Sequence, residues 1–380
     1  MKERRPVEVF PPGEFIREEL EARGWTQDDL AEILGRPLRT VNEVITGKRS
    51  ITPETAKGLG EALGTSAQLW MNLESTYRLS LANSGQEVVA RRAALYSQAP
   101  VRTMIKRGWI ESSNNIDVLE KRLLGFYMLT DITQKPQFCT YVARKSTSYC
   151  ELTPLQNAWL FRAYHLANAV SVTNFTKARL QNVFEQLKMF LPNPEDIRKI
   201  PKLLAEAGVK FVIIEPLPQS KIDGASFWPN SSPVLALSLR YDRIDWFWHT
   251  LVHELVHIRN EDGKNNDKFS IDTELVGESR RLNDDRSAYE IETDKLTIDY
   301  LIPQKELDNF IAGTQPLYSK TKIVGFANRI GVHPGIVIGQ LQHRKEITYA
   351  QNREMLTKVR DIITESSLTD GWGRNLPSNI

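Results

Sequence analysis

Residues 249–260, reading HTLVHELVHIRN, limit the fold more than any other stretch of this chain. His253, Glu254 and His257 make the pattern H-E-x-x-H. On a helix, residues four apart lie on one face about one turn apart, so both imidazoles can reach one metal ion. Glu254 follows the first histidine, where a carboxylate can take a proton from an attacking water. Ordinary histidines on an amphipathic helix would give the same three letters, so the pattern needs support from elsewhere in the chain.

At 380 residues, 41% hydrophobic and 25% charged, the sequence has room for two or three domains with their own cores. No apolar run approaches the length of a membrane span, and the opening MKERRPVEVFPPGEF lacks the apolar segment of a signal peptide. With only Cys139 and Cys150 there is no disulfide framework and no Cys-rich zinc site, so a reducing, cytoplasmic setting is expected. A net charge of +2 is too small to argue for nucleic acid or membrane.

From Pro12 to about Ala82 helix signals are dense. Residues 15–22 carry apolar side chains at helical spacing and Gly24 ends the run. Thr26 with Asp29 three residues on is a capping-box variant that opens TQDDLAEILG. Gly35 stops that helix, Pro37 starts the next, and Gly47 closes it. Two short helices around a tight turn suit a helix-turn-helix, with the first at residues 26–34 and the recognition helix at about residues 38–45. Arg36, Leu38, Arg39, Thr40, Asn42 and Glu43 would then face or flank the major groove, where Arg and Asn pair bidentately with guanine and adenine. Lys48 and Arg49, in the loop that follows, suit phosphate. Residues 1–80 hold 11 Lys and Arg against 13 Asp and Glu, so a helical protein-interaction module is the alternative.

PPGEFIREELEARGWTQDDLAEILGRP, followed by NEVITGKRSITPETAKGLGEALGTSAQLWMNLESTYRL, resembles the HigA-type antitoxin repressors of the xenobiotic-response-element helix-turn-helix family. Pro12-Gly13-Glu14, Gly47-Lys48-Arg49, Ile51-Thr52 and Trp70 carry the likeness, which covers nearly all of residues 10–80; Glu74 stands where Gln is expected. The resemblance implies a homodimer on a palindromic double-stranded DNA operator.

Residues 83–195 contain several segments with helical periodicity, broken near Pro100, residues 112–115, Pro136 and residues 192–194. They read as an all-helical connecting or dimerising region in which His165 lies on an apolar stripe. From Ile200 the pattern changes: a helix stops at Gly208, and residues 209–214, 222–227 and 234–239 read as strands before a helix at residues 243–258. This suggests a small sheet packed beside the metal-motif helix, in an α+β domain following a mainly helical N-terminal part.

A hydrolytic zinc site takes a third protein ligand and keeps one position open. The candidates lie in RSAYEIETDKLTIDYLIP, a helix ending at Pro303 with Glu290, Glu292, Asp294 and Asp299 as its acidic residues. HELVH followed by EIETDKLTIDYLIP resembles the ImmA/IrrE metallopeptidase family, whose second motif is similar to E-A-N-x-F-A-x-x-L-L-M-P. Laid over this chain, that motif implies Glu292 as the third ligand, with Thr293 and Leu296 as departures. GVKFVIIEPLP, IDGASF and GFANRIGVHPGIVIGQLQ extend the likeness over about residues 200–343. His249, one turn before His253, is either a group near the reacting atoms or structural, and Tyr241 and His333 are weaker candidates. Residues 348–366 read as one further amphipathic helix, before a Gly-, Asn-, Pro- and Ser-containing tail.

The expected organisation is thus a DNA-binding domain at 1–82, a helical region at 83–195, a zincin-like zinc metallopeptidase domain at 196–345, and a C-terminal helix and tail at 346–380. The expected activity is zinc-dependent cleavage of a protein partner, such as a repressor or toxin-related protein, with Zn2+ held by His253, His257 and Glu292. The alternative is an antitoxin-like repressor whose metallopeptidase-like domain senses or docks with little cleavage.

Overall fold

A computed structural model describes residues 9–82, 86–131, 134–138, 152–262, 270–273 and 288–371. The chain divides into two compact units, Met1–Ala93 and Ala94–Ile380.

The first unit is built from α1 (Pro12–Arg23), α2 (Gln27–Ile33), α3 (Leu38–Ile45), α4 (Pro53–Leu63) and α5 (Ala67–Leu81). The Thr26 hydroxyl accepts from the Asp29 N–H at 3.2 Å and the Asp29 carboxylate accepts from the Thr26 N–H at 2.7 Å, so the capping box that opens α2 is formed. The Thr26 N–H, and the Thr26 hydroxyl that donates to Asp29 Oδ2 at 2.8 Å, hold the Asp29 carboxyl below its usual range. Ile16, Leu20, Leu30, Val41, Val44, Ile45, Leu59 and Trp70 form the core. Gly13 lets α1 sit directly on the end of α3: a Cβ there would lie 1.9 Å from the carbonyl oxygen of Ile45. Helix α6 (Gln86–Gln98) spans the division between the units.

The second unit carries one sheet between two layers of helix. Strands β1 (Lys210–Ile214), β2 (Ile222–Phe227), β3 (Val234–Leu237), β4 (Ser270–Thr273) and β5 (Leu368–Asp370) take the order β4-β2-β3-β1-β5. β1 runs parallel to β3 and β5, whereas β2 is antiparallel to β3 and β4. Alternation along each strand divides the side chains between two cores. Phe211, Ile213, Leu235 and Leu237 pack with α12 (Ile244–Arg259) and the C-terminal helices. Val212, Ile214, Val234 and Ala236 pack on the other side with α7 (Val101–Lys106), α8 (Ile116–Tyr127) and α9 (Pro154–Ala167). A register shift between Ile222 and Gly224 restores the alternation so that Ala225 and Phe227 face the same helices as Ile222.

This places much of residues 83–195, set apart in the sequence reading as a connecting region, in one of the two layers of the second unit. Trp159 of α9 donates its Nε1–H to the Ile214 carbonyl at 3.3 Å, and α10 (Lys177–Phe190) and α11 (Ile200–Glu206) contribute Leu180, Phe184, Leu187, Ile200 and Leu204 to the opposite core. The expected helix over 348–366 is also replaced. A 3-10 turn (Arg353–Met355) and a short helix α17 (Arg360–Thr364) occupy the stretch, and strand β5 follows it. Asp242 Oδ1 accepts from the N–H groups of Val359 and Arg360 at 2.9 and 2.8 Å, and the Ile244 N–H bonds the Thr357 carbonyl at 2.9 Å. Those tertiary bonds use backbone groups that a continuous helix would need.

Beyond α12 lie α13 (Ala288–Leu301), α14 (Gln304–Thr314), α15 (Lys320–Ile330) and α16 (Pro334–His343). Among the described residues no helix is long and apolar enough to cross a membrane.

Candidate functional site

Helix α12 is buried on nearly every side, with only His249 and Arg259 partly exposed between Ile244 and Arg259. A helix apolar all round belongs in a core, and β2 on one flank with α13 and α16 on others supply that core. The two motif histidines are therefore held by packing.

His253 Nε2 and His257 Nε2 lie 3.0 Å apart. Glu290 Oε2 of α13 stands 3.4 Å from the first and 3.6 Å from the second. Zinc–ligand bonds of about 2.0–2.1 Å in a tetrahedron separate ligand atoms by about 3.3–3.4 Å, so these three atoms have the spacing of three corners around one ion. Burial would raise the Glu290 carboxyl, but hydrogen bonds and charge from His253 and His257 outweigh it and hold the group down to about 2.

Both imidazoles turn Nε2 to this point and Nδ1 to a carboxylate. His257 Nδ1 lies 2.8 Å from Asp262 Oδ2, and His253 Nδ1 lies 3.2 Å from Asp294 Oδ1. Asp262 also accepts from the Tyr289 hydroxyl, which in turn accepts from Asn260 Nδ2 at 2.9 Å. Burial first, and then the Asp262 bond, raise the Tyr289 phenol above its ordinary range.

Glu292 is not with them. It is exposed, whereas Thr293 and Asp294 are buried beside α12. Residues two apart on a helix diverge by about 200°, while residues four apart nearly coincide. Once Asp294 faces His253, Glu290 shares that face and Glu292 is turned away. The three residues that the structure brings together, and that could hold a metal ion, are His253, His257 and Glu290.

Glu254 is fully buried, and β2 passes close to it: a Cβ on Gly224 would lie 2.6 Å from Glu254 Oε1 and 2.8 Å from Thr250 Cγ2. The His249 ring stacks against that of His253 with centroids 6.0 Å apart. The weaker candidates have structural duties. His333 caps α16 by accepting from the Gly335 N–H at 3.0 Å, Tyr241 packs on Trp246 and accepts from Arg240 Nη2 at 3.0 Å, and His165 Nε2 lies 2.7 Å from the Phe126 carbonyl oxygen. Helix α16 is buried through most of its length.

In the first unit α3 buries Val41, Val44 and Ile45 and leaves Leu38, Arg39 and Asn42 outside. Arg39 Nε lies 2.9 Å from Glu43 Oε1 and Arg49 Nη1 lies 3.8 Å from Glu43 Oε2, so one carboxylate sits between two of the predicted cations. Arg49 Nη1 also donates to Thr40 Oγ1 at 3.3 Å, while Lys48 is exposed and Arg36 half-buried. Asn42 Nδ2 donates to Gln27 Oε1 at 3.3 Å, which adds Gln27 to this face. Its place at the first position of α2 was the available signal, since helix N-termini commonly meet phosphate. Arg78 of α5 pairs with Glu74 at 2.7 Å and donates to the Gly47 carbonyl at 3.2 Å, bracing the loop that carries Lys48 and Arg49.

Comparison with known proteins supports this part of the chain. The family described as Helix-turn-helix matches residues 16–70. Virulence-associated protein I of Dichelobacter nodosus is 34% identical over 79 residues, which are 20% of this chain and 73% of that protein. The Uncharacterized HTH-type transcriptional regulator YddM of Escherichia coli (strain K12) is 31% identical over 77 residues, 20% of this chain and 82% of the relative. Through its N-terminal unit, the chain belongs to the helix-turn-helix family. A solved structure, the Pseudomonas aeruginosa antitoxin HigA with higBA promoter, is 36% identical and covers 21% of this chain and 91% of its own, with a TM-score of 0.21. These three matches each span about a fifth of the chain.

Proposed function

We propose that this protein is a DNA-binding transcriptional regulator whose second unit is a zinc-dependent endopeptidase acting on a protein partner. The convergence of His253 Nε2, His257 Nε2 and Glu290 Oε2, with Glu254 beside them on α12, carries the peptidase reading. Two imidazoles and one carboxylate are a zinc donor set, and three protein ligands leave the open position that hydrolysis needs. Bound there, zinc would act as a Lewis acid toward a peptide carbonyl. Glu254 would take the proton of the attacking water and deliver it to the leaving amine. The wall of β2 at Gly224 and the packing at Thr250 confine that carboxylate, which favours a group held for proton transfer. A sensing or docking domain makes no use of a buried carboxylate at this position.

The outer face of α3, with Arg39, Asn42 and the Lys48-Arg49 loop, supports major-groove reading of an operator, and the regulator among the matched relatives agrees with it.

Zinc content and proteome-wide turnover test the reading together. The purified chain should hold one zinc, Glu290→Ala should lose it, and Glu292→Ala should keep it. Cells carrying Glu254→Gln should accumulate the substrate that wild-type cells degrade, while the variant protein keeps its zinc. A wild-type chain that refuses zinc would end the peptidase reading.

A further inference from the structure

We infer that Asp262 and Tyr289 form a clasp that orients His257 and seats Glu290, so that both are positioning residues of the proposed zinc site. The inference rests on that reading of the site and goes further by assigning two residues outside its ligand set.

Asp262 lies just past the C-terminus of α12 and Tyr289 lies in the first turn of α13. Strand β4 lies between them in the chain. The two ends meet at one carboxylate oxygen. Asp262 Oδ2 is 2.8 Å from His257 Nδ1 and also accepts from the Tyr289 hydroxyl. A carboxylate accepts only, so the proton in the first bond belongs to Nδ1. In the neutral imidazole that leaves the lone pair on Nε2, the nitrogen that points at Glu290 and His253. The bond to Asp262 therefore selects the tautomer that can ligate and fixes the plane of the ring.

Tyr289 adds a second constraint. Its ring packs 5.8 Å from that of His257, and its hydroxyl accepts from Asn260 Nδ2 at 2.9 Å. The tyrosine is thus tied to the last turn of α12 through ring, hydroxyl and partner. The next residue is Glu290, whose Oε2 stands 3.6 Å from His257 Nε2. Holding Tyr289 holds the start of α13 in the rotation that aims Glu290, and not Glu292, at the histidines.

The test is zinc affinity of the full-length protein, measured by competition with a chromogenic chelator, with cobalt absorption as the coordination probe. Asp262→Ala should weaken zinc about 10–100-fold, the usual cost of removing the partner of a ligating histidine. Asp262→Asn should recover part of that loss, because an amide oxygen still accepts from Nδ1–H. Tyr289→Phe should keep the ring, lose the hydroxyl, and give a smaller loss with an altered cobalt spectrum. Melting of the zinc-free proteins separates a folding defect, which would lower all melts without rescue by Asn. Wild-type affinity in Asp262→Ala, or no difference between the Ala and Asn variants, overturns the clasp and leaves the metal site standing. A wild-type chain that binds no zinc overturns the metal reading and the clasp together.

Discussion

Glu254 and Gly224 show how narrowly a single residue can be placed. Glu254 has no exposed surface, and the strand beside it approaches so closely that only glycine fits without moving something. A methyl group at Gly224 would meet Glu254 Oε1 and Thr250 Cγ2 inside van der Waals contact. Gly224→Ala should therefore displace the Glu254 carboxylate by a few tenths of an ångström or more while leaving His253, His257 and Glu290 in place. We expect kcat on the true substrate to fall by about tenfold or more with zinc content unchanged, because small misplacements of a proton-transfer group are costly. Zinc analysis beside single-turnover kinetics checks it, and loss of zinc would mean that the strand supports the ligands. The H-E-x-x-H triplet was legible in sequence because helical spacing alone brings its histidines together. The third proposed ligand was not. Glu290 and Glu292 differ by half a turn of helix, and which faces α12 depends on the rotation of α13, set by Asp294 at His253 and Tyr289 at Asp262. No local rule within EIETDKLTIDYLIP reports that rotation.

Among the elements, α3 was the most legible. Its bounds, Leu38–Ile45, follow from the glycines and proline that flank it, and the capping box at Thr26 fixes where α2 begins. What sequence did not disclose is how firmly its far end is held. Gly13 lies against the Ile45 carbonyl, and the Arg17 Nη2 reaches the same oxygen at 3.5 Å. Gly13→Ala would drive a methyl into backbone that has no rotamer to escape by, so α1 must move off α3. We expect a loss of about 1–3 kcal/mol, the usual cost of overpacking, read by calorimetry as a lower melting temperature of the first unit. The charge on α3 carries a second expectation. Glu43 sits against Arg39 and Arg49 and partly cancels them. Glu43→Gln should release both toward DNA, tightening binding to unrelated sequence several-fold and steepening its salt dependence. Binding isotherms at several salt concentrations check it, and an unchanged salt slope would show that neither arginine meets phosphate.

At the scale of the whole chain, the sheet decides where a domain can be cut. The continuous apolar run at residues 211–214 signals a strand covered on both faces, since a strand with one wet face alternates. Its pattern sets a sheet beside the helix at residues 243–258 and names no cover for the other face. Helices that cover the other face lie more than forty residues upstream, and their periodicity names an apolar stripe without naming the surface it meets. The structure supplies the match: Trp159, Phe161, Phe126 and Tyr127 pack with Val212, Ile214, Ile222, Phe227 and Val234. Those five sheet residues, at about 1.5–3 kcal/mol each when buried, contribute roughly as much as the net stability of a domain. A fragment of residues 196–380 would retain every proposed zinc ligand and expose that face to water. It should aggregate or bind a hydrophobic dye, while a fragment of residues 86–380 should elute as a compact species and melt cooperatively. Size-exclusion chromatography and dye fluorescence distinguish the two. A soluble, cooperatively folding 196–380 fragment would mean that α7, α8 and α9 are dispensable, and that the proposed metal centre stands on one helical layer alone.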